Sequence, residues 1–188
     1  GNVVATHDLA IALQRKEEEI IEDLVVASRD HLVLRVPKGY EFAHDRVQQA
    51  AYERIAEIDR PTVHRELGWR LLKHTLPNEI EGRIFDIVSQ LGRGLSAMAD
   101  STEKQQLAEL ELLAARRARR ACAFRTASKC LSVGIEALGT NGWATAPATM
   151  RELCILKAEC DFLSSEFSEA ENLCRELMTH VPDGPEKA

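Results

Sequence analysis

The stretch YEFAHDRVQQAAY, residues 40–52, sets a His-Asp pair, His44 and Asp45, between a segment with strand character and one with helical character. In YEFAH (40–44) aromatic and polar residues alternate. Just upstream, HLVLRV (31–36) is dense in Val and Leu without a helical period, and PKG (37–39) supplies turn chemistry. Residues 31–44 therefore predict a β-hairpin. From Asp45 onward, Val47, Ala50, Ala51, Ile55 and Ile58 recur at helical spacing. Asp45 followed by Gln48 matches a capping box, which predicts that Asp45 caps this helix and fixes the corner. The corner also has a functional reading. A helix start offers free backbone N–H groups and a positive dipole end, which attract phosphate. A histidine there could touch a nucleotide held by a neighbouring domain.

Upstream, residues 6–14 predict a short helix capped by Thr6, with Leu9, Ile11 and Leu13 as apolar contacts. Lys16–Ser28 predicts a second, with a stripe of Ile20, Ile21, Leu24, Val25 and Ala27 and with Glu17–Glu19 at its positive end. Helix, helix, hairpin, helix is the layout of a winged-helix-type domain, here residues 1–60.

Downstream, every segment reads as helix. One runs from about Thr62 to Thr75, with Pro61 at its start. After Pro77, Asn78 and Glu81 form a capping-box pattern, followed by Ile80, Ile84, Ile87, Val88, Leu91, Leu95 and Met98 on one face. Asp100 with Glu103 marks another start, leading to Leu107, Leu110, Ala114 and Ala118. Further helices are predicted at Ala127–Leu138, Ala148–Leu163 and Ser168–Thr179, the last with Ser168 and Glu171 as its box and with GTNGW (139–143) as a loop. Small residues fall twelve apart in two places, Ala115 with Ala127 and Ala158 with Ala170, and Pro182 lies another twelve on. That is the spacing of a tetratricopeptide-type helix pair, in which each unit buries its face on its neighbour. The expected organisation is connecting helices at 61–100, repeats at 101–182 and a disordered tail at 183–188.

The composition supports a globular chain: of 188 residues, 45% are hydrophobic and 29% charged. The net charge of −6 argues against a dedicated nucleic-acid binder. No apolar run approaches the roughly 20 residues of a membrane helix. The opening Gly1-Asn2-Val3-Val4 has neither a methionine nor the basic start and long apolar stretch of a signal peptide, as expected of a piece of a longer cytoplasmic protein or a processed chain. The five cysteines, Cys122, Cys130, Cys154, Cys160 and Cys174, are odd in number, and none makes a C-x-x-C. They are expected to be buried small hydrophobes on helices in a reducing compartment.

Catalytic motifs are scarce. The sequence has no phosphate-cradling P-loop, no H-E-x-x-H and no G-x-S-x-G. A metal-dependent phosphohydrolase built on His44-Asp45 would need further His and Asp ligands, and His64 and His74 stand at no supporting spacing. In RRARR (116–120), Arg116, Arg119 and Arg120 share a helix face. They are either an interaction patch for an anion or acidic partner, or a solvated face balanced by Glu109 and Glu111; the solvated face is the preferred reading.

YEFAHDRVQQAAYERI (40–55) resembles the segment that follows the nucleotide-binding module in large AAA-type signalling ATPases, within bacterial and fungal multidomain serine/threonine kinases and hybrid histidine kinases. The resemblance continues through RPTVHRELGWRLL (60–72), IFDIVSQLGRG (84–94), AELELLAARRARRACAFRTASKCL (108–131) and AECDFLSSEFSEAENL (158–173). Gln90 and Gly92 stand where that family often has His and Asn, and Glu111 where Asn is common. FAHD (42–45) is also similar to the Met-His-Asp motif in the winged-helix domain of signalling ATPases such as immune receptors, with Ala43 in place of Met. There the His contacts the β-phosphate of bound ADP.

These resemblances imply a mainly α chain: a winged-helix-like domain with one β-hairpin, then tetratricopeptide-like antiparallel helical hairpins. They imply a non-catalytic regulatory and interaction module that packs on an adjacent ATPase domain holding ATP or ADP. That module would relay signals to kinase domains and an unidentified protein partner. His44 would be the nucleotide sensor and Asp45 its structural partner. The alternative is a winged-helix DNA-binding regulator, whose recognition element at 16–28 would carry KEEEIIED (16–23), acids that repel phosphate.

Overall fold

The computed structural model describes residues 3–180. The expectations for Pro182 and for a tail at 183–188 lie outside them. Helices α1 (Thr6–Leu13) and α2 (Glu17–Arg29) precede strands β1 (Val33–Val36) and β2 (Gly39–Phe42) and helix α3 (Asp45–Glu53). The rest of the described chain is helical: α4 (Arg60–His74), α5 (Ile80–Arg93), α6 (Ser101–Arg120), α7 (Phe124–Leu138), the short α8 (Gly142–Thr145), α9 (Pro147–Leu163) and α10 (Phe167–His180). The architecture is mainly α, with one N-terminal hairpin and antiparallel helix pairs.

The hairpin forms where the Val/Leu run and the Pro-Lys-Gly turn predict it. β1 and β2 pair antiparallel, with Val33 opposite Phe42 and Val36 opposite Gly39. A further bridge joins Val4 to Tyr40, each amide donating to the other's carbonyl at 2.8 and 2.9 Å. Gly39 makes this approach possible: its φ is +144°, and a Cβ there would lie 2.1 Å from the Val4 carbonyl oxygen.

The helix pairs α4/α5, α6/α7 and α9/α10 stack so that one apolar core runs between α5, α6, α7 and α9, around Ile84, Leu112, Leu131 and Leu153. A second cluster joins α4 to α5 and the start of α6 through Leu71, Ile87, Leu91 and Leu107. The small residues chosen by the twelve-residue spacing are all buried: Ala115 and Ala127 in one pair, Ala158 and Ala170 in the next. Missing side-chain bulk lets paired helices approach closely, which is why alanine stands there. Arg65 grips Glu103 through two hydrogen bonds of 2.8 and 2.5 Å, tying α4 to the first turn of α6.

Several local expectations are corrected. Asp45 does not cap α3. His44 occupies the N-cap position with no side-chain cap, and Asp45 is the first helical residue. Thr6 is likewise inside α1, whose N-cap is Ala5, and its hydroxyl donates to Glu17 at 2.6 Å. Glu79, not Asn78, precedes α5, and α10 begins at Phe167, ahead of Ser168. Asp100 does cap α6, accepting from the Thr102 amide at 2.9 Å. Its partner Glu103 is drawn to Arg65 instead of reaching back. Leu95 lies beyond α5 in a 3₁₀ turn, and the Trp143 loop winds into α8. Cys130, Cys154 and Cys160 are buried as expected, but Cys122 and Cys174 are exposed. Cys122 sits in the α6–α7 turn at φ 55° rather than on a helix. In the α2 stripe only Ile20 is buried, Leu24 and Ala27 are half-buried and Ile21 and Val25 are exposed, and α3 buries no residue.

Candidate functional site

The His44–Asp45 corner is built by backbone alone. The Ala43 amide donates to the Leu32 carbonyl at 3.0 Å, which locks the end of the hairpin, and His44 has extended angles before the chain turns into α3. Both side chains are exposed. Asp45 sits at the first position of the helix, where its charge suits the positive dipole end. The structure therefore places the pair at the surface, adjacent to each other.

The far end of α3 is anchored by a contact that spacing did not reveal. His64 is buried. Its Nδ1 lies 2.7 Å from Gln90 Oε1, and its Nε2 lies 3.0 Å from the Tyr52 hydroxyl. An amide oxygen only accepts, so Nδ1 donates to it, and the other ring nitrogen meets the phenol hydroxyl. This chain of bonds links α3 through α4 to α5. Its partners lie 12 and 26 residues away in sequence, beyond any metal-ligand spacing. Tyr52→Phe removes one bond from a buried imidazole and is expected to cost about 1 kcal/mol; His64→Ala, which strands both partners, about 2 kcal/mol or more. Urea unfolding of the two variants checks the order.

The basic cluster is engaged within the chain. Arg116 pairs with Glu152 and Arg119 with Glu159 at 2.7 Å, both on α9, while Arg120 pairs with Glu81 on α5. Arg117 turns away, as its helical position predicts, onto the ring of Phe85 and the Glu81 carbonyl. The balance foreseen from Glu109 and Glu111 is not what forms. Glu109 accepts from Gln105, and Glu111 is buried. Exposed pairs of this kind contribute little stability each. They fix the azimuth of α6 against its neighbours.

Two more polar groups lie between the helices. Ser128, Lys157 and Asp161 form a cluster in which the lysine reaches Ser128 Oγ at 3.1 Å and Asp161 at 2.7 Å, and the serine donates to Asp161. A serine beside a lysine is a nucleophile–base pattern. Here the hydroxyl donates to the carboxylate and the lysine pairs with that same carboxylate, so the cluster pins α7 to α9. Glu111, in the middle of α6, is 2% exposed, and its Oε2 has no hydrogen-bond partner. Burial pushes its carboxyl up to about 8, against a small opposing effect of the Cys130 thiol hydrogen bond. Burial, with the nearby Glu111, pushes that thiol up to about 12. Reading Glu111 as one member of a solvated charge face concealed this burial; its place among Leu107, Leu110 and Ala114 on the apolar side was the available signal.

The first sixty residues expose many large apolar side chains. Val25 and Val26 on α2, Leu32 and Leu34 by β1, Phe42 on β2, and Ile58 after α3 are all exposed, Ile58 by 85%. No group of three or more potential metal ligands occurs among the described residues, and none of their helices is long and apolar enough to cross a membrane. No protein-family model, curated protein or solved structure matches this chain.

Proposed function

We propose that this chain is a non-catalytic regulatory and protein-interaction module of a cytoplasmic signalling ATPase or sensor kinase. Its first sixty residues form a winged-helix-like unit that packs on the nucleotide-binding domain. The helices from Ser101 onward act as tetratricopeptide-like repeats that carry the signal to kinase domains or a protein partner. The observation that carries this reading is the set of exposed apolar side chains on α2 and the hairpin, with Ile58 just after α3. Exposed apolar groups on this scale mark an interaction surface. The bridge from Val4 to Tyr40 beside the hairpin also fits a winged-helix sheet. In this reading His44 faces the bound ADP or ATP, and the Tyr52–His64–Gln90 chain couples movement of α3 to the helical pairs. The DNA-binding alternative is disfavoured by the Glu17–Glu19 run and Glu22 and Asp23 on α2, which would repel phosphate.

The experiment is a pair of nucleotide measurements. The purified chain is expected to hydrolyse no ATP above the buffer rate, and specific turnover would overturn the reading. In the longer protein that carries the nucleotide domain, His44→Ala is expected to speed ADP release about tenfold, the loss of one charge-assisted phosphate contact. An unchanged release rate would remove the sensor role from His44.

A further inference from the structure

A cleft of about 550 Å³ opens between α5 and α7, with α6 as its floor. Its walls are apolar: Phe85 and Val88 from α5, Cys130 and Val133 from α7. Glu111 lines the floor, nearly wholly buried, with one carboxyl oxygen unpartnered. Burying a polar group without a partner is costly, and such groups in folded chains call for a reason. Gly92 gives the cleft its access. A Cβ at that position would lie 3.5 Å from Glu111 Oε1 and 3.4 Å from Val133 Cγ1, so any larger side chain there would lie over the carboxyl.

We propose that this cleft binds a guanidinium group on an apolar stem, with Glu111 as its carboxylate anchor. The stem matches the Phe85, Val88 and Val133 walls. The planar donor fork matches a carboxylate, and such two-point charged pairs are stronger than neutral ones. The charged groups at the cleft are Asp86 and Arg93 from α5 and Lys129 from α7, one acid against two bases, so the cation's neutralising partner is Glu111 itself. Cys130 faces the same carboxyl as a neutral thiol donor. The bound cation displaces the proton that burial keeps on Glu111, and that proton leaves to solvent. The guanidinium can come from an arginine side chain on a protein segment or from a small alkylguanidine. This site is independent of the nucleotide-sensing reading.

The test follows chemical shifts of the ¹⁵N-labelled chain during titration with n-butylguanidinium, with pentanamide as a neutral probe of similar shape. Butylguanidinium is expected to shift signals of Gly92, Glu111 and Val133. Its affinity should rise roughly 50-fold from pH 6 to pH 8, following ionisation of a carboxyl near 8. Glu111→Gln and Gly92→Val are each expected to abolish binding while retaining the amide spectrum of a folded chain. A blocked arginine peptide that binds at least tenfold more tightly than butylguanidinium identifies the source as a protein segment; equal affinity assigns a small guanidine. Pentanamide binding as tightly as butylguanidinium, binding that ignores pH, or binding that survives both substitutions would overturn the proposal.

Discussion

A Gly94→Ala chain is expected to melt roughly 10 °C below the parent chain, a loss of about 3 kcal/mol. Gly94 ends α5 with ordinary right-handed angles, φ −89° and ψ −1°, so an alanine could adopt its backbone. The obstacle is contact. A Cβ there would lie 2.5 Å from the Arg65 amide nitrogen and 2.6 Å from its Cα. These are backbone atoms of α4, which cannot swing aside as a side-chain tip can, so the two helices must part. Arg65 also holds Glu103 on α6, so the displacement pulls on that ion pair as well. Gly82, in the first turn of the same helix, is the control, because a Cβ there meets nothing within 4 Å. Gly82→Ala is expected to raise stability by about 0.5–1 kcal/mol through the lower entropy of the unfolded chain. Calorimetry of the two variants should give opposite signs; equal effects would contradict the α4–α5 packing.

The second large effect concerns Glu111. Its folded-state carboxyl titrates at about 8 because burial disfavours the charge, whereas the ordinary value is 4.5. Between these values the folded chain holds a proton that the unfolded chain has lost. The carboxyl's contribution to stability is therefore intact below about pH 4.5, falls as pH rises, and is gone above about pH 8. The total is roughly 5 kcal/mol. Glu111→Gln keeps the shape and removes the titration. It is expected to be close to the parent chain in stability near pH 5 and more stable by roughly 5 kcal/mol near pH 9. Guanidinium chloride would compete for the site proposed above, so urea is the denaturant of choice. A stability difference that stays flat with pH would mean that Glu111 ionises freely and is not buried.

Helices with a strong apolar period were legible in the sequence. α5 and α6 fall close to their predicted spans, because Ile84, Ile87, Val88 and Leu91 or Leu107, Ala114 and Ala118 meet a core on one side. Helix starts were less legible. A Ser, Asp or Asn three residues before Glu or Gln fits several registers, and the chain's direction of entry decides which one caps. Asp100 faces the free Thr102 amide, whereas Asp45 lies one residue too far inside its helix. The α2 stripe has a helical period but little core to face, since periodicity reports an amphipathic face and not what covers it. Polar partners were the least legible. Arg116 meets Glu152, and His64 meets Gln90, across separations that only the stacking of helices closes. Glu111 was misread for the same reason: its charge suggested solvent, and its surroundings come from α5 and α7.

The exposed Ile21, Val25 and Val26 on α2 bear most on function, because the proposed packing requires them to be covered. Amide hydrogen exchange of this chain alone, against a longer protein with the nucleotide-binding domain that the proposal invokes, measures that directly. The expected result is added protection in the longer protein at 20–34 and 42–52, with exchange in α6, α7 and α9 unchanged. Equal exchange at 20–34 and 42–52 in both proteins would mean that no domain packs on this surface, and would contradict the account.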